Sequence, residues 1–112
     1  MPEINSIVEN NICTIKVRSA ALNEKNSIEL EDIIAARHDQ GIHEFLIDFS
    51  ETKFIDSRGL GKLLCINKAI EEDGGKLKIC RISDLLDRAF DNLQIYSVIE
   101  KDESFPAGNI AD

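Results

Sequence analysis

The sequence predicts a single α/β domain: an N-terminal β-hairpin, then alternating helices and strands, with a mostly parallel five-stranded sheet packed with helices. Three observations carry this. Beyond residue 26, short strand-like runs alternate with longer segments of helical apolar spacing. One run, Phe45-Leu46-Ile47-Asp48-Phe49, is nearly all apolar, as in a strand buried on both faces of a parallel sheet. The 112 residues are 43% hydrophobic, enough for one compact core and too few for two. The domain is expected over residues 1–104, with 105–112 a flexible tail.

The elements follow in order. Ile4 to Glu9 reads as a strand, and Asn10-Asn11 as a two-residue hairpin turn, because asparagine tolerates positive φ. Ile12 to Val17 alternates, with Cys13, Ile15 and Val17 on one face and Thr14, Lys16 and Arg18 on the other. Ser19 to Lys25 reads as a loop. Asn26 is the expected helix cap, with Glu29 as its capping-box partner. Leu30, Ile33 and Ile34 form the apolar side of that helix, and Gly41 its left-handed stop.

After the apolar strand comes a turn, then a helix from about Ser57 to Glu72 with Leu60, Leu63, Leu64, Ile66, Ala69 and Ile70 as its apolar face. Asp73-Gly74-Gly75 ends it. Lys76 to Cys80 alternates as the next strand, with Leu77, Ile79 and Arg81 toward one side. Ser83 caps a third helix to about Asn92, whose core stripe is Leu85, Leu86, Ala89 and Phe90. Ile95 to Ile99 is the expected last strand.

Parallel strands joined by right-handed crossovers have a functional consequence. The loop after the second strand, holding Asn23, and the loop after the third, holding Ser57, belong at the same edge of the sheet. That edge, at the carboxyl ends of the strands, is where open α/β sheets place their sites.

Composition narrows the partners. The net charge of −8, from 21 acidic and 13 basic residues, repels nucleic acid and anionic membranes. No apolar run approaches the roughly 20 residues that span a bilayer, so no direct membrane insertion is expected. Met1-Pro2-Glu3 does not resemble a secretion signal, which makes the expected location cytoplasmic. Cys13, Cys65 and Cys80 are an odd number without ligand spacing and read as buried inert thiols. His38 and His43 read as exposed and without a ligand role, and neither a metal nor a cofactor is expected.

Gly59-Leu60-Gly61-Lys62 invites a phosphate-loop reading, which fails on spacing. One residue separates the glycines where four are needed, and Leu63 follows the lysine. The third glycine of a dinucleotide fingerprint is also missing. Nor is Ser57 in a nucleophile elbow, since Ile55 stands where a glycine belongs. His38 and His43 fall toward the opposite edge of the sheet, so Ser57 lacks a base. Asp48 and Asp56 read as turn and cap residues. No enzyme is expected. Two readings of Ser57 then stand: a helix cap, or a modification site at a helix start, where a phosphoryl group is tolerated.

Asp48-Phe49-Ser50, followed by Phe54-Ile55-Asp56-Ser57-Arg58-Gly59-Leu60-Gly61, resembles the signature of the bacterial STAS domain, and more narrowly that of the anti-sigma factor antagonists. The resemblance runs from the opening hairpin to the last strand. It implies that Ser57 is a phosphate acceptor and that Asn23, Asp56, Ser57, Arg58, Gly59, Leu60 and Gly61 form the partner surface. The partners it implies are a serine kinase that doubles as an anti-sigma factor, bound when Ser57 is unmodified, and a PP2C-type phosphatase that resets the cycle. The alternative is an accessory or regulatory subunit of a membrane (lipid) transport system without a phosphorylation cycle.

Two positions depart from the family pattern. Most relatives carry a small residue where this chain has Arg58, which suits pairing with a phosphate, contact with an acidic partner, or hindrance of the kinase. The family's Gly-x-Leu-Asp after the second strand appears as Ala20-Ala21-Leu22-Asn23, keeping the shape of the aspartate without its charge.

Overall fold

A computed structural model describes residues 3–102. Its strands are β1 (Ile4–Glu9), β2 (Ile12–Val17), β3 (Ala21–Leu22), β4 (Glu44–Phe49), β5 (Phe54–Ile55), β6 (Lys76–Ile82) and β7 (Glu100–Lys101). The helices are α1 (Glu24–Asp39), α2 (Ser57–Glu72) and α3 (Asp84–Asn92), with a 3₁₀ turn at Ile95–Ser97.

The main sheet has the order β1-β2-β4-β6-β7. Only β1 and β2 are antiparallel, and the other pairs are parallel. Asn10 and Asn11, at φ 53° and 64°, make the hairpin turn that the strand twist requires. Central β4 is buried from Phe45 to Phe49. Cys13 and Ile15 lie opposite Phe45 and Ile47, so one face of the sheet is continuously apolar. Leu30 and Ile34 of α1, Leu63, Ile66 and Ile70 of α2, and Leu86 and Phe90 of α3 join the same core. Helices α1 and α2 run side by side in the same direction, since side-chain contacts join both their starts and their ends: Glu24 with Arg58, and His38 with Asp73.

Several expectations are corrected. The cap of α1 is Asn23, not Asn26. Asn26 is instead the third helical residue, and the two side chains exchange hydrogen bonds with each other's backbone N–H. The loop from Ser19 to Lys25 contains β3, and the turn before α2 contains β5. These two form a separate parallel pair. Neither has enough residues to show a period in sequence.

The last strand is not Ile95–Ile99. Gln94, at φ 62°, redirects the chain, and Val98 N and Ile99 N both donate to Ile95 O. The buried pair Ile95 and Ile99 is thus four apart on a helical turn, and pairing with β6 begins only at Glu100. In β6, a register shift places Arg81 opposite Asp48, on the other face from Leu77 and Ile79. Arg81 NH1 lies 3.6 Å from the buried Asp48 Oδ2.

Leu85 and Ala69 are exposed, so the expected core faces of α3 and α2 are narrower than their apolar spacing suggests, and Cys65, expected to be buried, is exposed on α2. Cys13 and Cys80 are buried, as expected. His38 is half-buried against Asp73, at 3.2 Å, rather than exposed. The expected tail at 105–112 lies outside the described residues.

Candidate functional site

The site is built on the β3–β5 ledge. Thr52, fully buried, donates from its hydroxyl to the carbonyls of Val17 (3.3 Å) and Ser19 (3.0 Å), tying the segment after β4 to the end of β2. Lys53 N and Phe54 N both donate to Ala20 O. Ala21 then pairs with Phe54 and Leu22 with Ile55, in parallel register. One residue later each chain starts a helix. Asn23 caps α1 and Asp56 caps α2, so the register sets the two caps side by side and Glu24 in step with Ser57. Asn23 and Ser57, 34 positions apart, meet at the carboxyl ends of the strands, as the alternation predicts.

Asp56 Oδ1 accepts from Gly59 N at 2.8 Å. The cap is therefore the aspartate, and the capping role does not fall to its neighbour. Ser57 is the first residue of the helix, it is exposed, and its hydroxyl makes no hydrogen bond among the described residues. By contrast, Ser83 Oγ donates to Thr52 O and accepts from Leu86 N, and Ser97 Oγ donates to Gln94 O.

The remaining expected residues divide into two groups. Asn23, Asp56, Ser57, Arg58 and Gly61 are exposed at this edge or just behind it. Gly59 is buried beneath the Leu22 carbonyl and Leu60 is half-buried, so these two support the edge from inside. Arg58 NH1 is 3.2 Å from Glu24 Oε1, an ion pair that joins the starts of the two helices.

Sequence reasoning missed Thr52, Glu24 and Phe54. A lone buried threonine carries no pattern. Glu24 was hidden because the cap of α1 was placed three residues late. Phe54, noted in sequence only as part of the signature stretch, is 59% exposed beside the site, an apolar surface next to an otherwise polar edge.

Neither histidine stands at this edge. His43 lies at the opposite ends of the strands, where its carbonyl accepts from Lys76 N at the start of β6, and His38 stands against it with ring centres 5.2 Å apart. Among the described residues no group of three or more His, Cys, Asp and Glu side chains is placed to hold a metal. No helix among them is long and apolar enough to cross a membrane.

Comparison with known proteins adds three findings. The family model for the STAS domain matches residues 3–107. Over 63 residues the chain is 29% identical to an anti-sigma-B factor antagonist of Staphylococcus epidermidis, a match spanning 56% of this chain and 58% of that relative. Among solved structures, it is similar to a Thermotoga maritima protein determined by NMR (TM-score 0.76, 16% identity, covering 87% of this chain and 78% of the other). It is also similar to the anti-sigma factor antagonist SpoIIAA of Bacillus in two states. For the unphosphorylated form the TM-score is 0.71 at 16% identity, covering 88% of this chain and 87% of the other. For the phosphorylated form it is 0.66 at 17%, covering 88% and 90%. At such identities the structural likeness concerns the fold.

Proposed function

We propose that this chain, which belongs to the STAS domain family, acts as an anti-sigma factor antagonist in a partner-switching relay. Unmodified, it binds a serine kinase that is also an anti-sigma factor; phosphorylation of Ser57 releases it, and a PP2C-type phosphatase restores it. The observation that carries this reading is the division of labour between Asp56 and Ser57. The aspartate holds the helix cap, so the exposed serine hydroxyl is free to be modified without unmaking the fold.

The chemistry belongs to the kinase. The Ser57 oxygen attacks the γ-phosphorus of ATP, the bond to the β-phosphate oxygen breaks, ADP leaves, and the serine proton passes to a kinase base or to water. The product carries roughly −1.5 to −2 charges at neutral pH. Placed in the middle of a docking edge, badly matched charge costs several kcal/mol, enough to reverse binding. Phe54, Asn23 and Asp56 supply the surrounding contact surface. Support comes from the Staphylococcus epidermidis relative, itself an anti-sigma-B factor antagonist, and from SpoIIAA, whose structure is known both with and without its phosphate.

The test is incubation with candidate serine kinases and ATP, then mass spectrometry of the phosphopeptides and a binding assay on two variants. Ser57→Ala is expected to bind the kinase constitutively and Ser57→Asp to bind poorly. Phosphate on Ser83 or Ser97 in place of Ser57, or wild-type binding by both variants, overturns the reading.

A further inference from the structure

We propose that Arg58 is an exchangeable counter-ion: paired with Glu24 while Ser57 is unmodified, it transfers to the phosphate once Ser57 is phosphorylated. The inference rests on the reading of Ser57 as the acceptor and adds a second moving part to it.

Three observations support the exchange. Glu24 and Ser57 each stand two residues beyond the paired Leu22 and Ile55, and Arg58, next to Ser57 in the chain, already reaches Glu24. The Arg58 and Glu24 side chains are 72% and 59% exposed, and their single contact is 3.2 Å. An exposed pair of this kind is weak and easily exchanged. The competitor is stronger, because a phosphate carries more charge than a carboxylate and offers three acceptor oxygens to a planar donor fork.

Phosphorylation then re-sorts the edge as well as charging it. The phosphate is partly neutralised from within the chain, and the Glu24 carboxylate, masked before, is uncovered toward the partner. The kinase-binding form thus presents a neutralised Glu24–Arg58 pair, whereas the released form presents a free carboxylate beside a clasped phosphate. Lys53, an exposed cation just before β5, is the control for charge acting diffusely.

The experiment installs phosphoserine at position 57 during translation and follows its ³¹P NMR signal against pH, in the wild type and in Arg58→Gln, Glu24→Gln and Lys53→Ala backgrounds. A guanidinium on the phosphate holds its second ionisation below the value of about 6 typical of phosphoserine. Arg58→Gln is expected to raise the midpoint by about half a pH unit. Glu24→Gln, which removes the competitor, is expected to lower it further. An unchanged midpoint in Arg58→Gln overturns the exchange, as does an equal shift in Lys53→Ala. Because no kinase is used, failure here is distinct from failure of the relay itself, which appears as absence of phosphate on Ser57 in the kinase assay.

Discussion

The carbonyl of Leu22 occupies the space where a Cβ on Gly59 would stand. The ledge that carries the first helix therefore rests directly on the first turn of the second. Gly59 is in ordinary helical conformation, so the requirement is for room and not for positive φ. Gly61, two residues on, has nothing within 4 Å of such an atom. Gly59→Ala is expected to destabilise the fold by roughly 1–3 kcal/mol through overpacking against backbone. Gly61→Ala is expected to stabilise it by about 0.5–1 kcal/mol through helix propensity. Urea unfolding of the two variants distinguishes them; destabilisation of equal size in both contradicts this account of Gly59.

Asn26 holds the ledge from the other side. It is 3% exposed, accepts from Asn23 N at 2.7 Å and donates to Ser19 Oγ (2.9 Å) and Ala21 O (2.6 Å). Removing it leaves several part-buried groups unpaired, so Asn26→Ala is expected to cost roughly 2 kcal/mol. Asn23→Ala, which loses one part-buried cap bond, is expected to cost about 1 kcal/mol. If denaturant midpoints fall equally for the two, the buried network matters less than its geometry implies.

A pH-dependent contribution sits away from the site. Tyr96 donates to Asp87 Oδ1, and Lys101 Nζ lies 3.2 Å from the same oxygen while also facing the Tyr96 ring. The tyrosine hydrogen bond, with a smaller part from the Lys101 hydrogen bond and charge, holds the Asp87 carboxyl below its ordinary value of 3.8, against the opposing effect of burial. A lowered native pKa means that the unfolded chain binds more protons in the window between the two values. The stabilisation is full above about pH 4 and is lost as pH falls through the native value. Tyr96→Phe is expected to move the acid-unfolding midpoint to higher pH, with a gap from wild type that narrows below pH 4. A gap unchanged from pH 7 to pH 3 contradicts this.

The three thiols should separate by reactivity. Burial, reinforced by the nearby Asp48 charge, pushes Cys80 up to about 12, and burial also raises Cys13. Cys65 is exposed on α2. Titration of the folded protein with an aromatic disulfide reagent at pH 8 is expected to modify Cys65 alone, with Cys13 and Cys80 reacting only after unfolding. Peptide mapping that finds label on Cys80 under native conditions contradicts the burial described here.

The long elements were legible because their signals are local. The asparagine pair requires a turn, the continuous run at Phe45–Phe49 requires a central strand, and the apolar spacing from Leu60 to Ile70 requires a helix, whose span of Ser57–Glu72 is as expected. Alternation then brings Asn23 to Ser57, since parallel strands must return to the same end. The signature stretch pointed to Ser57 but left it shared between capping and modification. Local spacing could not tell whether Asp56 or Ser57 would take the Gly59 N–H.

Tertiary structure decided that question, and with it the character of the site. Strands β3 and β5 have two residues each and no stability of their own; they exist because Thr52 and the Ala20 carbonyl hold the loops together across more than 30 positions of sequence. Their register puts Glu24 in step with Ser57 and gives Arg58 a partner on another helix. Sequence by itself determined the longer strands and helices and the edge at which Asn23 and Ser57 gather, because these follow from local preferences and from the alternation of the elements. The fold alone determined which groups touch at that edge, Arg58 with Glu24 and Gly59 with the Leu22 carbonyl, because that depends on contacts between segments far apart in the chain.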